Sequence, residues 1–336
     1  MVEVSVIVPA YNAGDSLHAA LASARSQWLR DIEIIVVDDA SEDHTREVAL
    51  ATARADVRVR VMRLPANVGP SAARNAGIDA AKGTWIALLD ADDLYLPQRL
   101  TVLTDAARSA DCDLLADNIM LRSAESGRCL GLSIPPALAD PRRPLTALEF
   151  ARNDRPFPGG FHQLGYVKPL IRRAFLERHN LRYDTDIWCA EDFVFYMRCL
   201  LAGARIMLLP DAYYQYTLSG DSISQANANL ARNCKYLEIG NARILTLARN
   251  RKDRATTTQL QRRKRNIAFL RTYYSYRQAM QRRRWSEAFA HLLKMPVAPV
   301  ELTRLLKLCL ARRIWRRHGI RHLTEHLNQI GKEPAC

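Results

Sequence analysis

The 336-residue chain has no apolar run near the roughly 18 residues that a membrane-spanning helix needs. It enters the strand-like VEVSVIVPAY with no basic region ahead of it, so the expectation is a chain neither exported nor membrane-spanning. Its seven cysteines are scattered, odd in number and without a C-x-x-C pair. That excludes a zinc site or disulfide framework and predicts reduced thiols in the cytoplasm. No G-x-x-x-x-G-K-[ST] occurs and no G-x-G-x-x-G follows the first strand, which disfavours P-loop NTPases and Rossmann dinucleotide enzymes. A phosphatase with a nucleophilic aspartate would carry D-x-D at the end of its first strand, where this chain has PAYN.

What is present describes a soluble globular chain, with 48% hydrophobic and 25% charged residues and a prior of one large domain plus an appendage. The net charge of +14 is unevenly placed. Residues 1–248 hold 27 Lys and Arg against 30 Asp and Glu, while residues 249–321 hold 21 against 3. A boundary therefore falls near 220 to 250.

Strand-like runs VSVIVPA, IEIIVVDD, VRVRVMRL, TWIALLD and CDLLADNIM alternate with helical stretches over the first 120 residues. Leu17, Ala20, Leu21, Ala24 and Trp28 recur at helical spacing behind Asp15 or Ser16 as a cap. In NVGPSAARNAGIDAAKG, Pro70 opens a helix and Gly83 lies just past its end. This βαβα pattern predicts an α/β fold with a mostly parallel sheet covered on both faces.

Ligands in such sheets bind outside the carboxyl ends of the strands. Asp38 and Asp39 close one strand there, and Asp90, Asp92 and Asp93 close another. Carboxylates converging on one rim call for a cation, and a hard divalent ion sharing a diphosphate fits them. Taken singly, Asp15, Asp43 and Asp93 also read as caps or turn formers.

The stretches VSVIVPAYN, IEIIVVDDASEDHT, NVGPSAARNAGIDAAKGTWIALLDADD and the block from Gly165 to Ser224 resemble, in order and spacing, the family-2 glycosyltransferases of GT-A fold, especially bacterial exopolysaccharide enzymes of succinoglycan assembly. The resemblance covers roughly residues 2–225. It implies a glycosyltransferase domain over 1–225, with a nucleotide-sugar half at 1–120 and an acceptor half at 121–225, followed by a basic helical region at 226–336. The implied reaction is inverting, metal-dependent transfer of a sugar from a nucleotide diphosphate donor, a UDP-sugar, to a glycan or lipid-linked acceptor. Carried onto this chain, the metal-holding D-x-D is Asp90 and Asp92, with Mn²⁺ or Mg²⁺ neutralising the leaving group. Asp39 resembles the residue that accepts a hydrogen bond from the nucleobase, Tyr11 the one that packs beside it, and Pro9 shapes that turn, with Asp38 adjacent. Arg74 reads either as a diphosphate contact or as a surface arginine.

Inversion needs a base to take the acceptor proton. Family correspondence puts it at Asp192, with Glu191 orienting it or holding the acceptor. The two acids open a helix with Phe193, Met197, Leu200 and Leu201 on one face, and a helix dipole alone also favours acids there. Trp188 reads as a sugar-stacking or a packing residue. Lys168 and Arg172 read as cations facing phosphate or as a solvated edge, and Tyr213, Tyr214 and Tyr216 alternate as a strand does. Pro135 to Gly160 reads as an irregular acceptor-side region.

Beyond residue 225 helical spacing dominates, and in ELTRLLKLCLARRIWRRHGI the residues Leu302, Leu305, Leu306, Cys309 and Leu310 share a face. This basic tail reads as an anchor on the anionic inner leaflet of the cytoplasmic membrane or as a structural cap. Nucleic acid is disfavoured as a partner because no reading module accompanies the charge. A noncatalytic glycan-assembly scaffold acting through the tail is the alternative function.

Overall fold

The computed structural model describes residues 2–154, 164–218 and 230–294. Strands β1 (Val4–Ala10), β2 (Ile32–Asp38), β3 (Val59–Arg63) and β4 (Trp85–Leu88) alternate with helices α1 (Gly14–Arg25), α2 (Thr45–Ala55) and α3 (Pro70–Ala80). There follow β5 (Leu94–Tyr95), α4 (Arg99–Ser109), β6 (Leu114–Ser123), β7 (Cys129–Leu132), α5 (Ala147–Asn153), β8 (Leu170–Arg172), α6 (Arg173–Arg178), α7 (Glu191–Leu201) and β9 (Ile206–Leu218). Helices α8 (Leu230–Asn250), α9 (Arg254–Gln281) and α10 (Trp285–Leu293) complete the described chain.

One sheet of nine strands runs in the order β3-β2-β1-β4-β8-β6-β9-β5, with β7 off this path and paired to β6 at Met120–Arg122. The pairs β1–β2, β1–β4, β2–β3 and β6–β9 are parallel, while β8 is antiparallel to both β4 and β6. Because β8 runs backwards, its start reaches the same rim as the end of β4. Successive residues of the central strands feed opposite faces: Val4, Val6 and Val8 join Leu17, Leu21, Leu100 and Leu103, whereas Ile7, Ile35 and Leu88 join Ile78, Phe150 and Phe193. Both faces of the sheet are therefore covered, as the near-continuous apolar strands require.

Two expected helix ends form differently. Helix α1 has no side-chain cap of its own; Asp43 Oδ2 accepts from the Gly14 amide at 3.0 Å and Thr45 Oγ1 from the Ala13 amide at 2.7 Å. The β2–α2 loop thus caps its neighbour, and Asp15 is left exposed. Trp28 lies beyond α1 and is exposed. Helix α3 ends at an extended Ala81. Gly83 is needed instead for close approach, since a Cβ there would stand 2.6 Å from the Ser5 amide nitrogen.

The basic helices pack onto the same core. Ile244, Leu245, Ala248 and Leu260 belong to the cluster built on α7, and Gly240 lets α8 approach Val194. Arg263, on α9, is buried against Asp154 with an Nη2–Oδ2 distance of 2.8 Å, and its guanidinium lies 3.8 Å from the Phe193 ring centroid. Among the described residues no helix is long and apolar enough to cross a membrane. The stripe read at Leu302–Leu310, and Pro156, Pro158, Gly159 and Gly160 of the proline-rich region, lie outside the described residues.

Candidate active site

The rim is shaped first by the turns after β1 and β2. Asn12 and Ala40 both take left-handed backbone angles there, φ 47° and 59°. Tyr11 is left exposed, and Pro9, half-buried in β1, pairs with Val37 of β2. Asp39 is buried and accepts from the amides of Val68 at 2.9 Å and Gly69 at 2.8 Å, so it fixes the chain just ahead of α3. Asp38, expected beside the donor, lies fully buried under the turn, where Oδ1 accepts from the Ser41 amide at 2.9 Å and Oδ2 stands 3.3 Å from Arg63. Its carboxylate supports the rim rather than lining it. Gly69, at φ 90°, backs onto the indole of Trp188, which is half exposed on the rim.

Helix α3 joins the two halves of the site. Ser71, Arg74 and Asn75 share one face by their i, i+3, i+4 spacing. Ser71 Oγ donates to the Ile187 carbonyl at 3.2 Å, while Asn75 donates to the Tyr183 carbonyl at 2.9 Å and accepts from its amide at 2.8 Å. These bonds pin the segment ahead of α7 onto α3. Ala190, at φ 61°, then turns the chain so that Glu191 and Asp192 open α7 toward Arg74.

The result is a buried ring of alternating charge. Arg74 donates to Glu191 at 2.8 Å through Nη1 and to Asp90 at 3.0 Å through Nη2, with Asp192 at 3.8 Å from Nη1. Lys168 closes the ring, its Nζ 2.7 Å from Asp192 Oδ2 and 3.0 Å from Asp90 Oδ2. Burial alone would push both cations down, but Asp192 and Asp90 hold the Lys168 ammonium, and with Glu191 the Arg74 guanidinium, above their ordinary pKa values. Burial likewise works against the Asp90 carboxylate, yet Lys168 and Arg74 keep it below the usual range. Asp192 Oδ1 is buried, has no hydrogen-bond partner among the described residues and lies 3.8 Å from Arg74 Nη1.

The three aspartates after β4 have separate fates. Asp90 is in the ring. Asp93 points the other way, buried, accepting from the Tyr214 hydroxyl at 2.6 Å and the Thr217 amide at 2.8 Å, and burial holds it well above the usual carboxylate range. Asp92 reaches the surface and makes no ion pair among the described residues. Partial desolvation and then the Asp90 charge push its pKa up. Exposed and without a cation among the described residues, Asp92 is the carboxylate of this turn through which a divalent ion would bind. Both oxygens of Asp90 already face Lys168 and Arg74, and no group of three or more His, Cys, Asp or Glu side chains suited to a metal occurs among the described residues. An ion at Asp92 therefore needs further ligands from the diphosphate itself.

Residues 5–178 match the family described as glycosyl transferase family 2. The chain belongs to glycosyltransferase family 2. Over 224 residues it is 39% identical to the succinoglycan biosynthesis protein ExoO of Rhizobium meliloti, covering 66% of this chain and 63% of that protein. ExoU of the same organism is 33% identical over 229 residues, covering 68% and 66%. The chain thus spans just under two thirds of the length of these relatives. TarS of S. aureus, in complex with UDP-GlcNAc, aligns with a TM-score of 0.62 at 21% identity, over 86% of this chain and 79% of that one. The mannosyltransferase PcManGT of Pyrobaculum calidifontis, with GDP-Man and Mn2+, aligns at 0.55 and 18% identity over 98% and 88%. At those identities the likeness is one of fold, and the fold is the GT-A arrangement expected of a family-2 chain.

Lys168 is the ring member that the sequence left open, and the structure puts it among the carboxylates. Its signal was a lone lysine in the apolar stretch GYVKPLI, where an ammonium can be buried only if paired. Arg172 instead lies over the Trp85 ring at 4.9 Å and pairs with Asp111, away from the ring of charge. Behind Lys168 a second buried pair, Arg99 and Asp117 at 2.7 Å, also holds the Lys168 carbonyl through Arg99 Nη2.

Proposed function

We propose that this family-2 chain transfers a sugar from a nucleotide diphosphate donor, a UDP-sugar, to a hydroxyl of a glycan or lipid-linked acceptor, with inversion. The observation that carries the reading is Arg74 joining Asp90, on the D-x-D turn, to Glu191 and Asp192 on α7. In this mechanism Asp192 Oδ1 takes the proton of the acceptor hydroxyl as its oxygen attacks the anomeric carbon and the bond to the diphosphate breaks. Lys168 holds the other oxygen of Asp192 and so sets its orientation. Glu191, anchored on Arg74, orders the acceptor side. Asp92 with the donor's own oxygens would hold Mn²⁺ or Mg²⁺, which supplies charge neutralisation at the leaving group. Tyr11 and Asp39 flank the nucleobase, and the working place is the inner face of the cytoplasmic membrane.

The test is a screen of nucleotide sugars for hydrolysis and transfer with Mn²⁺, repeated with Asp192→Asn. The expected result is turnover of one donor, lowered on the order of 10²-fold or more in the variant with donor affinity retained. Turnover unchanged in Asp192→Asn would remove the base from this residue. No turnover of any donor would leave the scaffold reading.

A further inference from the structure

Helix α10 carries large apolar side chains that nothing in the described structure covers. Trp285 is 62% exposed, Phe289 62% and Leu293 71%. Their i, i+4, i+8 spacing puts them within one arc of the helix. The adjoining edge of that arc holds Ala288, which is buried where α10 meets α9. The helix thus uses one edge for packing and presents the bulk of its apolar arc outward. Exposed apolar surface of this kind marks an interaction site rather than a random surface residue.

The charge around the arc is mostly basic, with Glu287 as the acid on α10. Arg282, Arg283 and Arg284 form the turn immediately before Trp285, and Lys294 follows Leu293; all four are exposed. Among the described residues, only Arg284 of these has an acid partner, Glu287 at 3.3 Å. The exposed Arg262, Lys264 and Arg265 on α9 also have no ion-pair partner among the described residues. An apolar arc with an indole at its end and unneutralised arginines at its flank suits a surface whose own charge is negative and whose interior is apolar. A folded protein partner would be expected to offer acids to the arginines but has no reason to require the apolar arc to be continuous with them.

We propose that α10 is the membrane-docking element of this protein, lying in the plane of an anionic bilayer with Trp285, Phe289 and Leu293 inserted and Arg282 and Arg283 on the lipid headgroups. The proposal rests on the reading that the chain works beside a membrane, but not on its catalytic residues. Helix α10 packs on α9, which with α8 seats on the core built on α7, the helix that opens with the proposed base.

The experiment is co-sedimentation of the full chain with vesicles of phosphatidylcholine alone and of phosphatidylcholine mixed with phosphatidylglycerol. The expected result is binding to the anionic vesicles only, weakened about tenfold or more by Trp285→Ser/Phe289→Ser/Leu293→Ser. Arg282→Gln/Arg283→Gln should lower binding and flatten its salt dependence. Donor hydrolysis in solution should be unchanged in both variants, which separates failure of docking from failure of the catalytic reading. Binding by the triple serine variant equal to wild type would overturn the proposal, as would equal binding to neutral vesicles or no vesicle binding at all. A change of oligomeric state in the serine variant without vesicle binding by wild type would assign the arc to a second copy of the chain.

Discussion

Residue by residue, the site divides labour between carboxylates that look alike in the sequence. Asp92 is exposed and has no cation among the described residues, so Asp92→Asn should weaken Mn²⁺-dependent UDP binding about tenfold or more while leaving the folded state near wild type. Calorimetry with Mn²⁺ and with EDTA checks this, and equal UDP affinity in both would remove the metal from Asp92. Lys168→Met leaves Asp90 and Asp192 facing each other without their shared ammonium. Breaking a buried pair in this way costs on the order of 3–5 kcal/mol, to be read by urea denaturation, and transfer should fall with it. The positions of Asp90, Asp92 and Asp192 were legible because strand ends and helix starts are visible as pattern breaks. Their partners were not, because pairing depends on which rim β8 reaches, and that follows from its reversed direction rather than from any local spacing.

The elements themselves were legible where apolar periodicity was long. β1, β2, α3 and α7 stand close to their expected bounds, whereas the cap of α1 and the role of Gly83 depended on contacts between segments. The same cross-segment logic sets a pH dependence at the lower edge of the sheet. Glu33 on β2 accepts from Ser5 Oγ at 2.7 Å, the Lys82 amide at 2.7 Å and Arg60 at 2.9 Å. Burial would push its pKa up, but these bonds outweigh it and hold the carboxyl below its ordinary value. A lowered folded-state pKa gives stability that is present above the unfolded value of about 4.3 and lost as pH falls through the folded one. Glu33→Gln should therefore cost about 1–2 kcal/mol at neutral pH and show a shallower loss below about pH 4, measured by urea denaturation across that range. An unchanged acid slope would place the titrating group elsewhere.

For the molecule as a whole, α8 and α9 share a core with the sheet domain through Ile244, Leu245 and Leu260, and the expectation is one cooperative unfolding unit. Arg263→Met, which strands the buried Asp154, should lower stability by about 3–5 kcal/mol, and near- and far-ultraviolet signals should still fall in one transition. Two separate transitions would show the helices to be an independent domain. Within the described residues, the stretch from 249 to 294 that carries part of this charge imbalance contributes Leu260 to the α7 core.

The ring of Arg74, Asp90, Lys168, Glu191 and Asp192 draws on four chain segments, and each cation serves more than one acid. No member can change alone without leaving an unmatched buried charge, so substitutions here should be strongly non-additive. In homologous chains, loss of the lysine at position 168 should be accompanied by a compensating change at position 90 or 192, and these sites should drift as a linked set while the surface around them varies freely.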